Sequence, residues 1–264
     1  MKLKKNFLSF ITGFFVGNLG GLLGLGGAEF RLPILLYVFH FTILSAIVVN
    51  LSVSFFTVVF SFIFRGMVLD FSVVFSYILI AVNILVGSLL GSYLGVNFAT
   101  SIKQNLLKKI VAIILILIAL LLIFHQSIHH YTIDISEFYK ITLGLFLGLI
   151  IGIVSSMLGV AGGELIIPTL TLVYGIDIKI AGSLSLLISI PTIILGLYKY
   201  SKKGQSEIIK SEKTFIVFMA LGSIIGSFTG SLFLYRFSSE TLRIFLGVIL
   251  IISALKMIFM SKKN

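Results

Sequence analysis

Two acidic residues stand at matching places in otherwise apolar sequence. Glu29 follows Leu23-Gly24-Leu25-Gly26-Gly27-Ala28, and Glu164 follows Leu158-Gly159-Val160-Ala161-Gly162-Gly163, 135 residues on (164 − 29). A charged side chain at membrane centre costs about 2.5–3.5 kcal/mol on insertion scales, so an intramembrane acid marks a working site by default. The plainer alternative is that each carboxyl caps the helix that follows, where the helix dipole favours negative charge. Arg31 lies two residues past Glu29 and has no counterpart, because position 166 is Ile. It either pairs with Glu29 as internal glue or supplies positive charge for an anionic ligand. Glu164 is followed only by Leu165, Ile166 and Ile167 and is the candidate carrier of a coupling proton.

The glycine loops offer chemistry of another kind. Small residues in succession, Gly24, Gly26, Gly27 and Ala28 in one loop and Gly159, Ala161, Gly162 and Gly163 in the other, disfavour a continuous helix and bare its backbone. Such a break survives at membrane depth only against protein or a water-filled cavity. The helix starting after each break turns free N–H groups and a positive dipole end toward a ligand, which suits an anion. Broken helices matched in two halves are the usual pointer to a transporter site near the midplane. Close helix packing is the competing reading of the glycines. Asn50 and Ser185, again 135 apart, either line the same cavity or bond neighbouring helices. The loops are no nucleotide fingerprint, since no strand precedes them and no Walker lysine follows. His125, His129 and His130 sit in a polar central stretch and predict no metal site; no cofactor is expected, and the absence of Cys removes thiolate ligands and nucleophiles.

These residues must be positioned by membrane helices. Of 264 residues 58% are hydrophobic and only 11% charged, with a mean hydropathy of +1.19, far from the composition of a soluble domain. Barrel strands would need period-two alternation, which is missing, so the fold class is an all-α polytopic bundle. The net charge of +11 comes from short basic clusters between apolar runs, a topology signal rather than a nucleic-acid surface. The N-terminal apolar run has no small-residue cleavage site and reads as an uncleaved first span.

The 135-residue offset extends well beyond the loops. It maps Gly13 and Gly17 onto Gly148 and Gly152, and GSLLGSYLG (87–95) onto GSIIGSFTG (222–230). Two homologous halves are therefore expected, 1–135 and 136–264. If the short segment after each loop crosses separately, the halves are inverted; if it continues the preceding helix, they are parallel. Inversion with both termini cytoplasmic gathers thirteen basic residues inside, including Lys103 to Lys109 and Lys199 to Lys213, against five outside, Arg65 among them. The inverted arrangement in a cytoplasmic (plasma) membrane is the reading adopted.

The doubled GLGGAEFRLP (24–33) and GVAGGELIIP (159–168) resemble the signature of the sulfite exporter TauE/SafE family of permeases, over essentially the whole chain. The resemblance implies a secondary transporter that moves sulfite, a sulfonate or another sulfur-containing organic anion by alternating access, with the two loops forming the substrate site. The usual glycine triplet reads Gly26-Gly27-Ala28 here and Ala161-Gly162-Gly163 in the second half, and Glu-Phe-Arg follows the first loop where apolar residues are typical. Two other functions stay open: a cation carrier using Glu29 and Glu164 as ligands, and an intramembrane enzyme acting on lipid. The enzyme would need a nucleophile and base together, which Glu and Arg without a mid-membrane His do not supply. The expected partners are a small anion, the lipid bilayer, protons as coupling ion and a second copy in a homo-oligomer, with no nucleic acid.

Overall fold

A computed structural model of the chain describes residues 2–98, 104–124 and 137–262. The boundary expected at 135, Lys103, and His125, His129 and His130 lie outside them. All regular structure in the described residues is helical. The first half runs α1 (Lys2–Leu23), α2 (Ala28–Tyr37), α3 (Ile43–Gly66), α4 (Phe71–Ser76), α5 (Ile78–Phe98) and α6 (Gln104–Phe124). The second repeats it as α7 (Glu137–Leu158), α8 (Gly163–Tyr174), α9 (Ile178–Tyr200), α10 (Ser206–Ser211), α11 (Lys213–Phe233) and α12 (Ser239–Lys262). Even the caps repeat. Thr42 and Asp177, one offset apart, cap α3 and α9 by accepting from Ser45 N (3.4 Å) and Lys179 N (2.9 Å).

Among the described residues, six helices are long and apolar enough to cross a membrane. Large apolar side chains such as Leu79, Phe146 and Leu232 face outward, while Ser54, Ser88, Ser185, Ser223 and other hydroxyl residues are buried. That is the arrangement lipid demands, with polar groups satisfied inside the bundle.

Glycine seams set which helices touch. A Cβ on Gly13, Gly17 or Gly21 of α1 would collide with the carbonyls of Met219, Ser223 or Ser227 on α11; Gly222, Gly226 and Gly230 press likewise on Phe10, Phe14 and Asn18. The second half mirrors this, Gly148 and Gly152 of α7 lying on Ile84 and Ser88 of α5. Each half thus packs its first helix, in parallel register, against the other half's fifth.

The same contacts fix the handedness of the repeat. Arg65 at the end of α3 meets Ser183 near the start of α9, and Leu51 lies by Gly196, so these equivalent helices run antiparallel. Ser88 and Lys199 bond Thr192 and Tyr93 in rising order, which sets α5 parallel to α9. Helix α7 follows α5, and α1 runs with α3, their N-terminal ends joined by Lys5 over the Phe41 ring (4.9 Å) and their C-terminal ends by Arg65. Equivalent helices therefore point in opposite directions, and the repeats are inverted.

The short segments are half-crossings that turn back. At 1.5 Å per residue the 22-residue α1 spans about 33 Å and the 10-residue α2 about 15 Å. Gly27 lies against Val16, past the middle of α1, and the end of α2 leads to Phe39 and Phe41, packed edge-on and tilted against Phe215 beside Lys5. Helix α2 thus returns to the face from which α1 started. Helix α8 does the same, its Tyr174 hydroxyl donating to the Lys140 carbonyl at the start of α7 (2.8 Å). Lys5, Lys199, Lys203 and Lys213 fall on one face of the bundle, Lys140, Lys179 and Arg236 on the other.

Candidate functional site

The two loops meet at the centre of this inverted pair. Gly27 and Gly162 precede α2 and α8 in the left-handed conformation (φ 66° and 85°), which residues with a Cβ seldom adopt. Gly26 abuts Ala161, a Cβ there coming within 2.6 Å of the alanine's, and a Cβ on Gly163 would meet Leu25 and Ser185 at 3.1 and 3.2 Å. Gly24 rests on the backbone of Gly182 and Gly159 on Ile47.

Asn50 ties the loops together. Its Nδ2 donates to Ala28 O (3.0 Å) in the first loop and Gly159 O (2.9 Å) in the second, and its Oδ1 accepts from Arg31 Nη1 (3.4 Å). Asn50 thus joins the two halves by hydrogen bonds at the loop junction. Ser185, its counterpart, is wholly buried with a hydroxyl that has no partner.

Arg31 is also wholly buried. Nη1 donates to Ser54 Oγ (2.7 Å); Nη2 donates to Thr57 Oγ1 (3.1 Å), Gly26 O (3.4 Å) and Ser223 Oγ (3.5 Å); Nε is unpartnered. Every partner is a neutral oxygen. The ion pairs within 4 Å among the described residues are Lys5–Glu212 and Lys210–Glu207, both at the surface, so the Arg31–Glu29 pairing is not formed. Symmetry shows what Arg31 interrupts. In the second half Ser88 and Thr192 bond directly (3.1 Å), and Ser189 donates to Ala161 O (2.8 Å). In the first half the corresponding Ser223, Thr57, Ser54 and Gly26 are spread around the guanidinium instead.

Glu29 and Glu164 are buried to the same degree, each 7% exposed, and turn toward each other, their carboxyls within hydrogen-bonding reach. Both oxygens of Glu29 and Oε2 of Glu164 have no hydrogen-bond partner. Beside Glu164 lies a cavity of about 10 Å³ whose lining includes Ser155, Gly162 and Leu115.

Two further residues escape a reading of local sequence. Arg65, counted above as a loop charge on the outer side, is wholly buried. It donates to Gly21 O and Leu22 O at the end of α1 (both 3.0 Å), to Ser183 Oγ (2.9 Å) and to Lys179 O. The carbonyls that end a broken helix need donors, and the guanidinium fork supplies several at once. One offset along stands Tyr200, buried, whose hydroxyl donates to Ser156 O (3.2 Å) at the end of α7. Ser156 is itself the counterpart of Gly21. Both broken helices are capped by the last turn of the crossing helix two elements on, one by a cation and one by a phenol. The offset could have found this pair; residue type concealed it. Among the described residues no group of three His, Asp or Glu is placed to hold a metal.

Inverted repeats, two re-entrant half-helices meeting at mid-depth and buried charge at their junction are the marks of a polytopic membrane transporter. Comparison gives the family. The profile of the sulfite exporter TauE/SafE family matches residues 2–122 and 143–264, one segment in each half, and the chain belongs to that family of membrane transporters. No curated protein matches the chain, and no solved structure does.

Proposed function

We propose that the protein is a secondary transporter for a small oxyanion, sulfite or a sulfonate, which binds at Arg31 between the two glycine loops. The observation that carries this is a buried guanidinium with no carboxylate within 4 Å. A cation taken out of water needs compensation, and an anion of the family's substrate class would supply it. Three of the five contacts of Arg31 are 3.4 Å or longer, loose enough to be exchanged for bonds to a bound oxyanion. The Ser54 hydroxyl can rotate to donate to its remaining oxygens, and those of Thr57 and Ser223, which now donate to Val53 O (3.0 Å) and Gly13 O (3.1 Å), can exchange those bonds for the ligand's. Alternating access follows from the inverted halves rocking about the loop junction. The lysine-rich face is cytoplasmic in this reading, and Glu164 carries the coupling proton.

The test is uptake of radiolabelled sulfite into proteoliposomes, with sulfonates, thiosulfate and sulfate as competitors. Saturable uptake blocked by anions, and lost in Arg31→Gln, supports the reading. Competition by cations and not anions would move the site to the two carboxyls and make the protein a cation carrier.

A further inference from the structure

We propose that Glu29 and Glu164 bind one proton between them, and that this shared proton is the latch holding the two halves of the transporter together. The inference rests on the transport reading above and gives Glu164 a partner in coupling. Each acid begins a re-entrant helix, one in each half, so a bond between their side chains joins α2 to α8 across the pseudo-twofold axis. Two facing acceptors cannot bond without a hydrogen, and three of their oxygens have no other partner. Like charges in contact inside a low-dielectric site do not both ionise. With one proton present, the O–H of one carboxyl donates to an oxygen of the other. When that proton leaves to water, two carboxylates face each other and the halves part.

No neighbouring side chain among the described residues offers a substitute for the proton. Arg31, on α2 itself, acts on Glu29 from beyond ion-pair distance. From α12, Lys256 lies over the Phe30 ring (5.4 Å) rather than on the acids. Toward the pair α3 offers the uncharged Asn50, α9 Ser185, α7 Ser155 and α6 Leu115; the charged residues of α1, α3 and α9, such as Lys5, Arg65 and Lys199, lie at the helix ends.

A route for the proton is built beside Glu164. The cavity beside Glu164 also exposes Ser155, nearly fully buried, and both Ser155 Oγ and Glu164 Oε2 are unpartnered. Its volume suits one water, which would bond both. In the first half Gly20 replaces Ser155 and offers no hydroxyl. The proton therefore enters and leaves by way of Glu164, although both acids hold it.

Two measurements on the purified full-length protein test the latch. In proteoliposomes with labelled sulfite, wild type should accumulate label under a pH gradient, whereas Glu29→Gln and Glu164→Gln should each still exchange label but lose that accumulation altogether. Persistent accumulation in either variant would overturn the latch, because the other acid would then carry the proton alone. The second readout needs no substrate: thermal stability in detergent against pH. Loss of a latch proton destabilises, so the wild-type melting temperature should fall as pH rises. In both Gln variants, whose amide keeps a donor in place at any pH, this fall should be absent. A pH-independent wild type would sink the proposal. If wild type moves no anion yet keeps this pH dependence, the anion reading fails and the latch stands.

Discussion

Replacing Asn50 separates the parts of the site that hold the loops from those that hold the ligand. Asn50→Leu keeps the branched outline, with bulkier ends, and removes both donors, leaving Gly159 O and Ala28 O without their side-chain bonds. The Gly159 carbonyl lies in the loop and should cost about 1–3 kcal/mol when left buried and unpaired. Ala28 O belongs to the first turn of α2, where the helix still offers a donor, so its loss is nearer an ordinary hydrogen bond, about 0.5–1.5 kcal/mol. The sum is about 1.5–4.5 kcal/mol, or about 3–18 °C in melting temperature for a chain of this size. The chain has no Trp, so the assay is loss of the monodisperse chromatographic peak after heating in detergent. Asn50→Asp is the companion change. It sets a carboxylate where Oδ1 now lies 3.4 Å from Arg31 Nη1, neutralising the guanidinium from inside, and should abolish sulfite binding even in protein that folds. An Asn50→Leu variant that melts like wild type would refute Asn50 as the tie between the loops. An Asn50→Asp variant with unchanged sulfite affinity would refute Arg31 as the anion's partner.

Arg65→Met should destabilise more than Tyr200→Phe, which removes a single 3.2 Å bond worth about 1 kcal/mol; Arg65→Lys should not rescue, since one ammonium cannot reach acceptors on two helices at once, and equal melting temperatures for the Met and Phe variants would contradict the capping argument. Gly91→Ala and Gly226→Ala, which drive a Cβ into the carbonyls of Leu149 and Phe14, should abolish folded expression, while Gly196→Ala, whose Cβ would sit 3.8 Å from Leu51, should be tolerated; monodisperse yield on detergent extraction reads both. For topology, single cysteines in this cysteine-free chain at exposed Ser72 and Ser201 should react oppositely with an impermeant thiol reagent on intact cells, Ser72→Cys labelled and Ser201→Cys protected, and the reverse pattern would invert the proposed orientation.

Most of the architecture was legible because membrane sequence is repetitive in a physically constrained way. Apolar runs gave the crossings, and one offset tied Gly13 to Gly148, Glu29 to Glu164 and both glycine loops together. The antiparallel relation of the halves rested in sequence on lysine placement and in the structure on contacts such as Arg65 with Ser183. What stayed hidden was side-chain partnership across the halves. Nothing local says that Asn50 reaches Gly159, that Glu29 meets Glu164 rather than Arg31, or that Arg31 is set among Ser54, Thr57 and Ser223. Arg65 was misplaced because a basic residue at the end of an apolar run ordinarily marks the interface, whereas here four acceptors draw it inside. Gly27→Leu, an obvious probe of the loops from sequence, is uninformative in the fold, since φ of 66° and the Val16 contact make it a folding defect whatever the loop binds.

The account stands most directly on binding of labelled sulfite to purified wild type and Arg31→Gln, measured without a gradient so that coupling does not enter. Removing a charged hydrogen-bond partner costs about 1.5–3 kcal/mol, a loss of affinity of roughly tenfold to a hundredfold. The predicted result is saturable binding to wild type, displaced by sulfonates and unaffected by monovalent cations, with affinity reduced at least that far in Arg31→Gln. Equal affinity in the two proteins would contradict it.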